Sequence, residues 1–148
     1  MKVILVSGTT GTGKTTIAKK LAKKHNYEYI DLNHLLIKKK LYSGYDRKLK
    51  THVVDQRKSN KLMIALIKEA KESGEKGLVI DSHLSHLLPA RHADLCIITK
   101  TGLRKLKGRL QKRKYPEEKI KENLEAEILD VCLVEALETG HKVKVIKT

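Results

Sequence analysis

An α/β fold in one domain is the architecture that the sequence predicts, and three observations support it. Five apolar segments rich in Val, Ile and Leu have the composition of buried strands, and they alternate with segments whose apolar residues recur at helical spacing. A glycine-rich loop joins the first strand to the first helix. The length of 148 residues is that of a single domain, and no repeat, low-complexity tract or linker divides it.

The glycine-rich loop contains the strongest functional motif. It follows an apolar strand over residues 2–7 and fits the pattern Gly-x4-Gly-Lys-[Ser/Thr] with Gly8, Thr9, Thr10, Gly11, Thr12, Gly13, Lys14, Thr15 and Thr16. Its glycines let backbone N–H groups approach a polyphosphate, and the next helix directs the positive end of its dipole at the same anion. The alternative is a plain Gly-Thr turn. We expect instead that the loop binds a nucleoside triphosphate.

Three side chains are candidate ligands of the phosphates and of Mg²⁺. Lys14 is placed to bridge the β- and γ-phosphates, and the Thr15 hydroxyl to bind Mg²⁺. Asp81 ends the apolar strand Gly77–Asp81, where phosphate-loop enzymes use an aspartate to hold Mg²⁺ directly or through water. The alternative for Asp81 is a capping or turn residue, but the loop favours the metal role.

Histidines follow this aspartate closely. His83 lies two residues after Asp81, so it is placed to orient a water molecule or to contact the γ-phosphate. His83 and His86 also resemble a transition-metal pair, but no cysteine or third ligand has a suitable spacing. We therefore expect His86 and His92 to be structural or exposed.

The segment between the second strand and the next long helix has a weaker pattern. The second strand covers Tyr27–Leu32, and Asn33 is a candidate cap for a short helix. Residues 38–57 then combine turn-forming and basic residues, which fits a substrate-binding segment and a surface loop equally well. Ser59 is the candidate cap of the following helix, which ends at Ser73-Gly74.

A basic helix follows the fourth predicted strand, residues 93–99. This strand lacks the Asn-Lys-x-Asp motif that guanine-specific proteins place after a comparable strand, which argues against a GTPase. The helix sets Arg109 and Arg113 four residues apart on one face, before a break at Tyr115-Pro116. Either this is a solvated basic face or it is a mobile lid that supplies guanidinium groups to the transferring phosphate. We favour the lid.

The longest helical pattern runs from Pro116 to Gly140. Its apolar stripe consists of Ile120, Leu124, Ile128, Val131 and Cys132. Asn123 and Glu127 share another face, where they either meet the lid or the nucleotide or are ordinary surface residues. A short fifth strand over residues 141–146 completes the pattern.

The formal net charge of +15 is the strongest compositional signal. It indicates a polyanionic partner such as RNA, a solvated lysine-rich surface, or attraction for anionic nucleotides. The chain has no signal peptide and no apolar run long enough to span a membrane, so we expect a soluble cytoplasmic protein. Cys96 and Cys132 are expected to be buried, unreactive thiols without a disulfide between them.

Taken together, these residues resemble the adenylate kinase isoenzyme 6 family of archaeal and eukaryotic nucleotide kinases. The resemblance covers about nine tenths of the chain. Besides the phosphate loop, it consists of Leu41-Tyr42-Ser43-Gly44-Tyr45-Asp46, Asp81-x-His83, Arg109-Leu110, Arg113-x-Tyr115, Lys119-Ile120-x-Glu122-Asn123 and Ala126-Glu127-Ile128. Thr10 stands where the family often has Pro, and the chain ends at Thr148, where relatives continue through an adenine-contacting loop and a final helix.

The resemblance implies a doubly wound, five-stranded parallel sheet like that of phosphate-loop nucleoside monophosphate kinases. It also implies a monophosphate-binding segment over residues 31–54 and a lid over residues 112–122. The site residues it implies are Gly11, Gly13, Lys14, Thr15 and Thr16 on the ATP phosphates and Mg²⁺, Asp81 and His83 at the metal and water site, and Arg113 as the lid arginine on ATP. The loop pattern adds Gly8 and Thr12 to the nucleotide-binding residues, and the basic helix adds Arg109 as a second arginine on the phosphates.

The resemblance further implies the reaction and the partners. The reaction is phosphoryl transfer from ATP to AMP, accompanied by some ATP hydrolysis. The implied partners are a platform protein of the small ribosomal subunit and its rRNA, and we expect a monomer. The alternative is an assembly ATPase that is switched by nucleotide and whose kinase activity is incidental.

Overall fold

The computed structural model describes all residues from 1 to 148. In chain order the elements are β1 Lys2–Ser7, α1 Lys14–His25, β2 Glu28–Asp31, α2 Leu32–Lys38, β3 Tyr42–Asp46, β4 Thr51–Val54, α3 Gln56–Glu72, β5 Gly77–Asp81, β6 Leu95–Lys100, α4 Leu103–Lys112, α5 Glu117–Ile128, α6 Val131–Thr139 and β7 Val143–Lys147. None of the six helices combines the length and the apolarity needed to cross a lipid bilayer.

Five of the strands form one parallel sheet in the order β2-β5-β1-β6-β7. Strand β1 is central: Leu5 pairs with Ile80 of β5 on one side and with Cys96 of β6 on the other. Parallel strands place their carboxyl ends at one edge, so Ser7, Asp31 and Asp81 all end there.

Helices cover both faces of the sheet. On one face Ala18 and Ala22 of α1 pack against Ile4, Val6 and Val79. On the other face, residues of α2, α3 and α6 form the larger cluster, which includes the fully buried Leu36, Met63 and Ala136. Leu, Ile, Val and Met therefore fill a core that has no Phe or Trp, and the predicted doubly wound architecture is confirmed.

A third, smaller apolar cluster joins α4 to α5. Leu106 and Leu110 of α4 are fully buried against Ile120 of α5, with Tyr115 and Leu124 at its border. The predicted lid, residues 112–122, consists of the last residue of α4, the connecting turn and the first half of α5. Of the two helices, α4 packs closely on the loop that follows β1: a Cβ atom on Gly11 would lie only 2.9 Å from Leu106 and 3.0 Å from Leu110.

The segment 31–54 is more ordered than the sequence pattern indicated. It contains α2 and a β-hairpin in which β3 and β4 pair only with each other, antiparallel, with a register shift between Tyr42 and Gly44.

The two residues predicted to cap α2 and α3 were wrong. The Asp31 carboxylate caps α2 by accepting from His34 N, and the Asp55 carboxylate caps α3 by accepting from Arg57 N, so neither Asn33 nor Ser59 is the cap.

The single long helix predicted from Pro116 to Gly140 was wrong, because the chain breaks between α5 and α6. Asp130 has φ of 51° at this break, and such left-handed backbone is uncommon outside Gly and Asn or Asp. Lys100 offsets the cost by forming an ion pair with Asp130 and donating to the Glu127 carbonyl. Periodicity could not reveal the break because the apolar spacing continues across it.

Candidate active site

Three adjoining clefts lie at the carboxyl edge of the sheet. The outer cleft, about 510 Å³, is lined by Gly11, Gly13, Thr16, Ile17, Arg109, Arg113, Lys147 and Thr148. The central cleft, about 230 Å³, is lined by Thr10, Lys14, Thr15, Asp31, Asn33, Asp81, Ser82, His83, Arg113 and Tyr115. The inner cleft, about 210 Å³, is lined by Asn33, Leu36, Ile37, Tyr42, Lys50, Thr51, His52, Val54 and His83. Arg113 borders the first two clefts, and Asn33 and His83 border the last two.

The loop after β1 has the conformation that its glycines were expected to allow. Gly8, Gly11 and Gly13 have φ of 144°, 92° and 83°, values that residues with a Cβ rarely adopt. A Cβ atom on Gly8 would also lie 2.5 Å from the Thr99 hydroxyl. Thr12 is fully buried: its hydroxyl contacts Thr99 and its backbone N–H donates to the Thr9 carbonyl, so Thr12 shapes the loop from within and its side chain does not face a ligand.

The Lys14 amine is held inside the loop. Its Nζ donates to the Thr9 carbonyl at 3.2 Å. Burial lowers the pKa of Lys14 to about 8, although the nearby Asp81 carboxylate opposes that shift. The amine is therefore still mostly protonated at pH 7, and it faces the central cleft in which the predicted phosphates would lie.

Thr15 and Asp81 meet at the floor of the central cleft. The Thr15 hydroxyl donates to Asp81 Oδ2 at 2.7 Å, and the Tyr29 hydroxyl donates to the same oxygen at 2.8 Å. Burial and this bond to Asp81 raise the pKa of Tyr29, so it remains a donor. The sequence did not point to Tyr29, because its role depends on the pairing of β2 with β5.

This pair of oxygen ligands fits Mg²⁺. Hydroxyl and carboxylate oxygens are hard donors, which suit Mg²⁺ rather than zinc or copper. Nowhere in the chain do three or more His, Cys, Asp or Glu side chains gather into a metal cluster. Mg²⁺ typically takes only one or two protein ligands and fills its remaining positions with water and substrate phosphates.

His83 lies where the central and inner clefts meet. The Asn33 amide donates to His83 Nδ1 at 3.3 Å, and Asn33 in turn accepts from Ser82 at 3.5 Å. Burial and the nearby Lys14 charge lower the pKa of His83 to about 4, so its imidazole is neutral at pH 7. His86 is separate from this group: it is 1% exposed and lies between Ser7 and Glu135, so its role is structural.

Both predicted lid arginines line the outer cleft, but only Arg113 also reaches the central one. Arg113 ends α4 and borders the central cleft. Arg109 borders only the outer cleft, where Nη1 donates to the Gly11 carbonyl at 3.0 Å and to the Thr101 and Thr148 hydroxyls at 3.3 Å. Sequence spacing put both on one helical face, but Arg113 lies one residue beyond the helix.

The inner cleft is walled by aromatic residues of the hairpin. The rings of Tyr42 and His52 are 4.4 Å apart, and the Tyr45 ring meets His52 edge-on at 5.1 Å. The Nδ1 atom of His52 is buried without a protein partner. The sequence contained one signal for this wall: Thr51, Val53 and Val54 are β-branched, which is typical of a strand.

Comparison with known proteins gives consistent matches along the chain. The AAA domain family matches residues 4–130. A Methanosarcina acetivorans protein named "Putative adenylate kinase" is 40% identical over 99% of this chain and 77% of its own length. A Caenorhabditis elegans protein named "Adenylate kinase isoenzyme 6 homolog" is 36% identical over 92% of this chain and 72% of its own length.

Solved structures share the fold at low sequence identity. A sugar kinase from Janibacter has a TM-score of 0.67 at 17% identity, covering 99% of this chain and 85% of its own. Shikimate kinase from Bacteroides thetaiotaomicron has a TM-score of 0.61 at 15% identity, with coverage of 99% and 85%. Deoxyadenosine kinase from M. mycoides has a TM-score of 0.58 at 16% identity, with coverage of 98% and 90%. These likenesses establish the fold of a phosphate-loop kinase.

Proposed function

The chain belongs to the AAA domain family and to the adenylate kinase isoenzyme 6 family, and on that basis we propose that it is a nucleoside monophosphate kinase. The proposed reaction transfers the γ-phosphoryl group of ATP to AMP and forms two ADP. The observation that supports it best is the line of three clefts with the phosphate loop at its centre. A donor and an acceptor nucleotide can enter such a site from opposite ends.

The ATP side of the site consists of the outer cleft and the loop. We assign the adenosine to the outer cleft beside Arg109 and the triphosphate to the backbone amides of residues 8–16. Lys14, whose amine is held at the Thr9 carbonyl by one of its three N–H donors, would direct the other two at the phosphates. Thr15 and Asp81 would hold Mg²⁺, which neutralises phosphate charge when bound.

The acceptor side consists of the inner cleft. We assign the AMP base to the space beside Tyr42 and His52. Its phosphate would then point towards His83 and Arg113. An oxygen of that phosphate attacks the γ-phosphorus while the bond from the γ-phosphorus to the β-γ bridging oxygen breaks. The attacking oxygen is already anionic, so positioning and charge stabilisation suffice and no strong general base is needed.

One assay tests this proposal directly. ATP is supplied with each nucleoside monophosphate in turn, or with water as the only acceptor, and ADP is quantified. We expect rapid ADP formation with AMP and its loss by about 10³-fold or more in Lys14→Ala, because the charge that stabilises the transferring group is removed. Lys20→Ala, which removes an exposed lysine from the same helix, is the matched control. Full turnover in a folded Lys14→Ala protein would refute the proposal.

A second candidate function is a nucleotide-switched ATPase in small-subunit assembly. Two observations favour it: the neutral His83 imidazole in the central cleft, which can orient a water, and the net charge of +15, which suits rRNA or a ribonucleoprotein. A platform protein of the small subunit is the proposed partner, and the cytoplasm the proposed location. ATP hydrolysis without AMP should then rise on addition of that protein or of rRNA and fall in His83→Ala. No response to either change would exclude this candidate.

A further inference from the structure

Glu127 is a buried carboxylate that the proposed reaction does not use. It lies in the last turn of α5 with its side chain 4% exposed. Its oxygens accept three hydrogen bonds from two separate parts of the chain: from the Thr9 hydroxyl at 3.1 Å, and from Lys100 Nζ and the neighbouring Thr101 N, each at 2.8 Å. Both oxygens are thus occupied by protein donors, and one of those donors belongs to the phosphate loop.

A carboxylate in this position has to be well paired to be tolerated. Removing it from water costs several kcal/mol, which only good hydrogen bonds and an opposite charge can offset. Lys100 supplies that charge, and Lys100 also pairs with the half-exposed Asp130. The Thr9 hydroxyl therefore makes its bond to a carboxylate whose place is already fixed by Lys100 and Thr101.

Thr9 connects this carboxylate to the reactive part of the loop. The Thr9 carbonyl accepts from Lys14 Nζ at 3.2 Å, from the Thr12 hydroxyl at 2.6 Å and from Thr12 N at 3.2 Å. The residue that Glu127 holds by its side chain is thus the residue that holds the Lys14 amine by its main chain. A shift of Thr9 would move Lys14 with it.

We propose that Glu127 is a positioning residue of the phosphate loop: through the Thr9 hydroxyl it sets the place of the Lys14 amine and so the affinity for the triphosphate. This inference rests on the proposed ATP site. Because α5 begins in the lid at Glu117 and ends beside Glu127, the same contact also anchors the lid helix to the loop.

Titration calorimetry of the full chain with MgATP tests the inference. Thr9→Val removes the hydroxyl and keeps the shape and the carbonyl, and we expect it to weaken ATP binding about tenfold, as does Glu127→Ala. The double variant should be no weaker than the weaker single variant, because both changes break the same contact. Glu127→Gln keeps one oxygen for Thr9 and leaves Lys100 paired with Asp130, but its NH2 group cannot accept from Thr101 N, so we expect it to recover part of the affinity that Glu127→Ala loses.

The kinetic readout separates positioning from general damage. In Thr9→Val we expect the KM for ATP to rise while the KM for AMP stays within about twofold, since the inner cleft is lined by other residues. Glu125→Ala, which removes an exposed carboxylate from the same helix, is the control and should bind ATP normally.

Several outcomes would overturn the inference. They are normal ATP binding by a folded Thr9→Val protein, losses that multiply in the double variant, or equal rises in both KM values. If Glu127→Ala does not fold, ATP binding by Thr9→Val alone still tests the inference. Failure of the unsubstituted protein to bind MgATP would instead refute the proposed ATP site, and failure to use AMP the proposed reaction.

Discussion

The Tyr29 hydroxyl is the part of the proposed metal site whose removal can be predicted most closely. It donates to Asp81 Oδ2 at 2.8 Å, and the receiving carboxylate is 4% exposed. A hydrogen bond to a charged group contributes about 1.5–3 kcal/mol, and Tyr29→Phe removes only the donor while the ring stays in place. The Thr15 hydroxyl still donates to the same oxygen, so we take the lower value and expect a loss of about 1.5 kcal/mol in unfolding free energy.

The same substitution should also weaken metal binding. With one of its two donors gone, the Asp81 carboxylate is no longer held in one orientation, and loss of such a supporting contact typically costs 10- to 100-fold in metal affinity. We expect about tenfold for Tyr29→Phe, measured as the Mg²⁺ concentration that gives half-maximal activity at saturating ATP. Urea denaturation without nucleotide gives the stability change separately.

Tyr27→Phe is the matched control, because Tyr27 stacks on His25 at 5.3 Å and its hydroxyl has no partner among the side-chain hydrogen bonds. It should change neither quantity. If Tyr29→Phe leaves both the denaturation midpoint and the Mg²⁺ requirement unchanged, then the contact with Asp81 does not organise the site and the assignment of Asp81 as a metal ligand loses its main support.

Three further predictions concern other parts of the molecule. Arg113→Ala should lower kcat about 10²-fold or more, because only Arg113 borders the central cleft. Arg109→Ala should mainly raise the KM for ATP, because Arg109 borders only the outer cleft. Equal effects of the two variants on kcat and KM would contradict these separate roles. The free energy of unfolding should fall as the pH decreases from about 6.5 towards 4, because His83 takes up a proton in the unfolded chain but stays neutral in the folded protein. In His83→Asn, chemical denaturation should show a smaller change of unfolding free energy with pH over that range. Met63→Ala should cost about 2–5 kcal/mol in urea denaturation because Met63 is fully buried in the larger core cluster, and a loss below 1 kcal/mol would mean that the core collapses around the cavity.

Local chemistry made the phosphate side of the site predictable. The loop could be recognised from Gly8, Gly11 and Gly13, because residues with a Cβ atom rarely adopt its backbone angles. Asp81 could be recognised because it ends a buried strand. Such signals depend on spacing within a few residues. The same holds for the alternation of strands and helices, which predicted the parallel sheet.

The features that the sequence missed, or in the case of Glu127 left open, all depend on contacts between distant segments. Tyr29 meets Asp81 across 52 residues, and Glu127 meets Thr9 across 118. A tyrosine in a strand or a glutamate in a helix looks ordinary in sequence, because the partner that gives it a role is supplied by the fold. The helix break at Asp130 was not predicted for the same reason, because Lys100, the cation that pairs with Asp130, lies at the end of β6.

The hairpin of β3 and β4 has a consequence for how this enzyme can diversify. Its strands hydrogen-bond only to each other, so its side chains, apart from Val54, which packs on the larger core cluster, can change without disturbing the main sheet. No residue that lines the inner cleft also lines the outer one. Under the proposed function, substitutions at Tyr42, Lys50 or His52 would therefore change the preference for the acceptor base and leave ATP binding in the outer cleft unaltered.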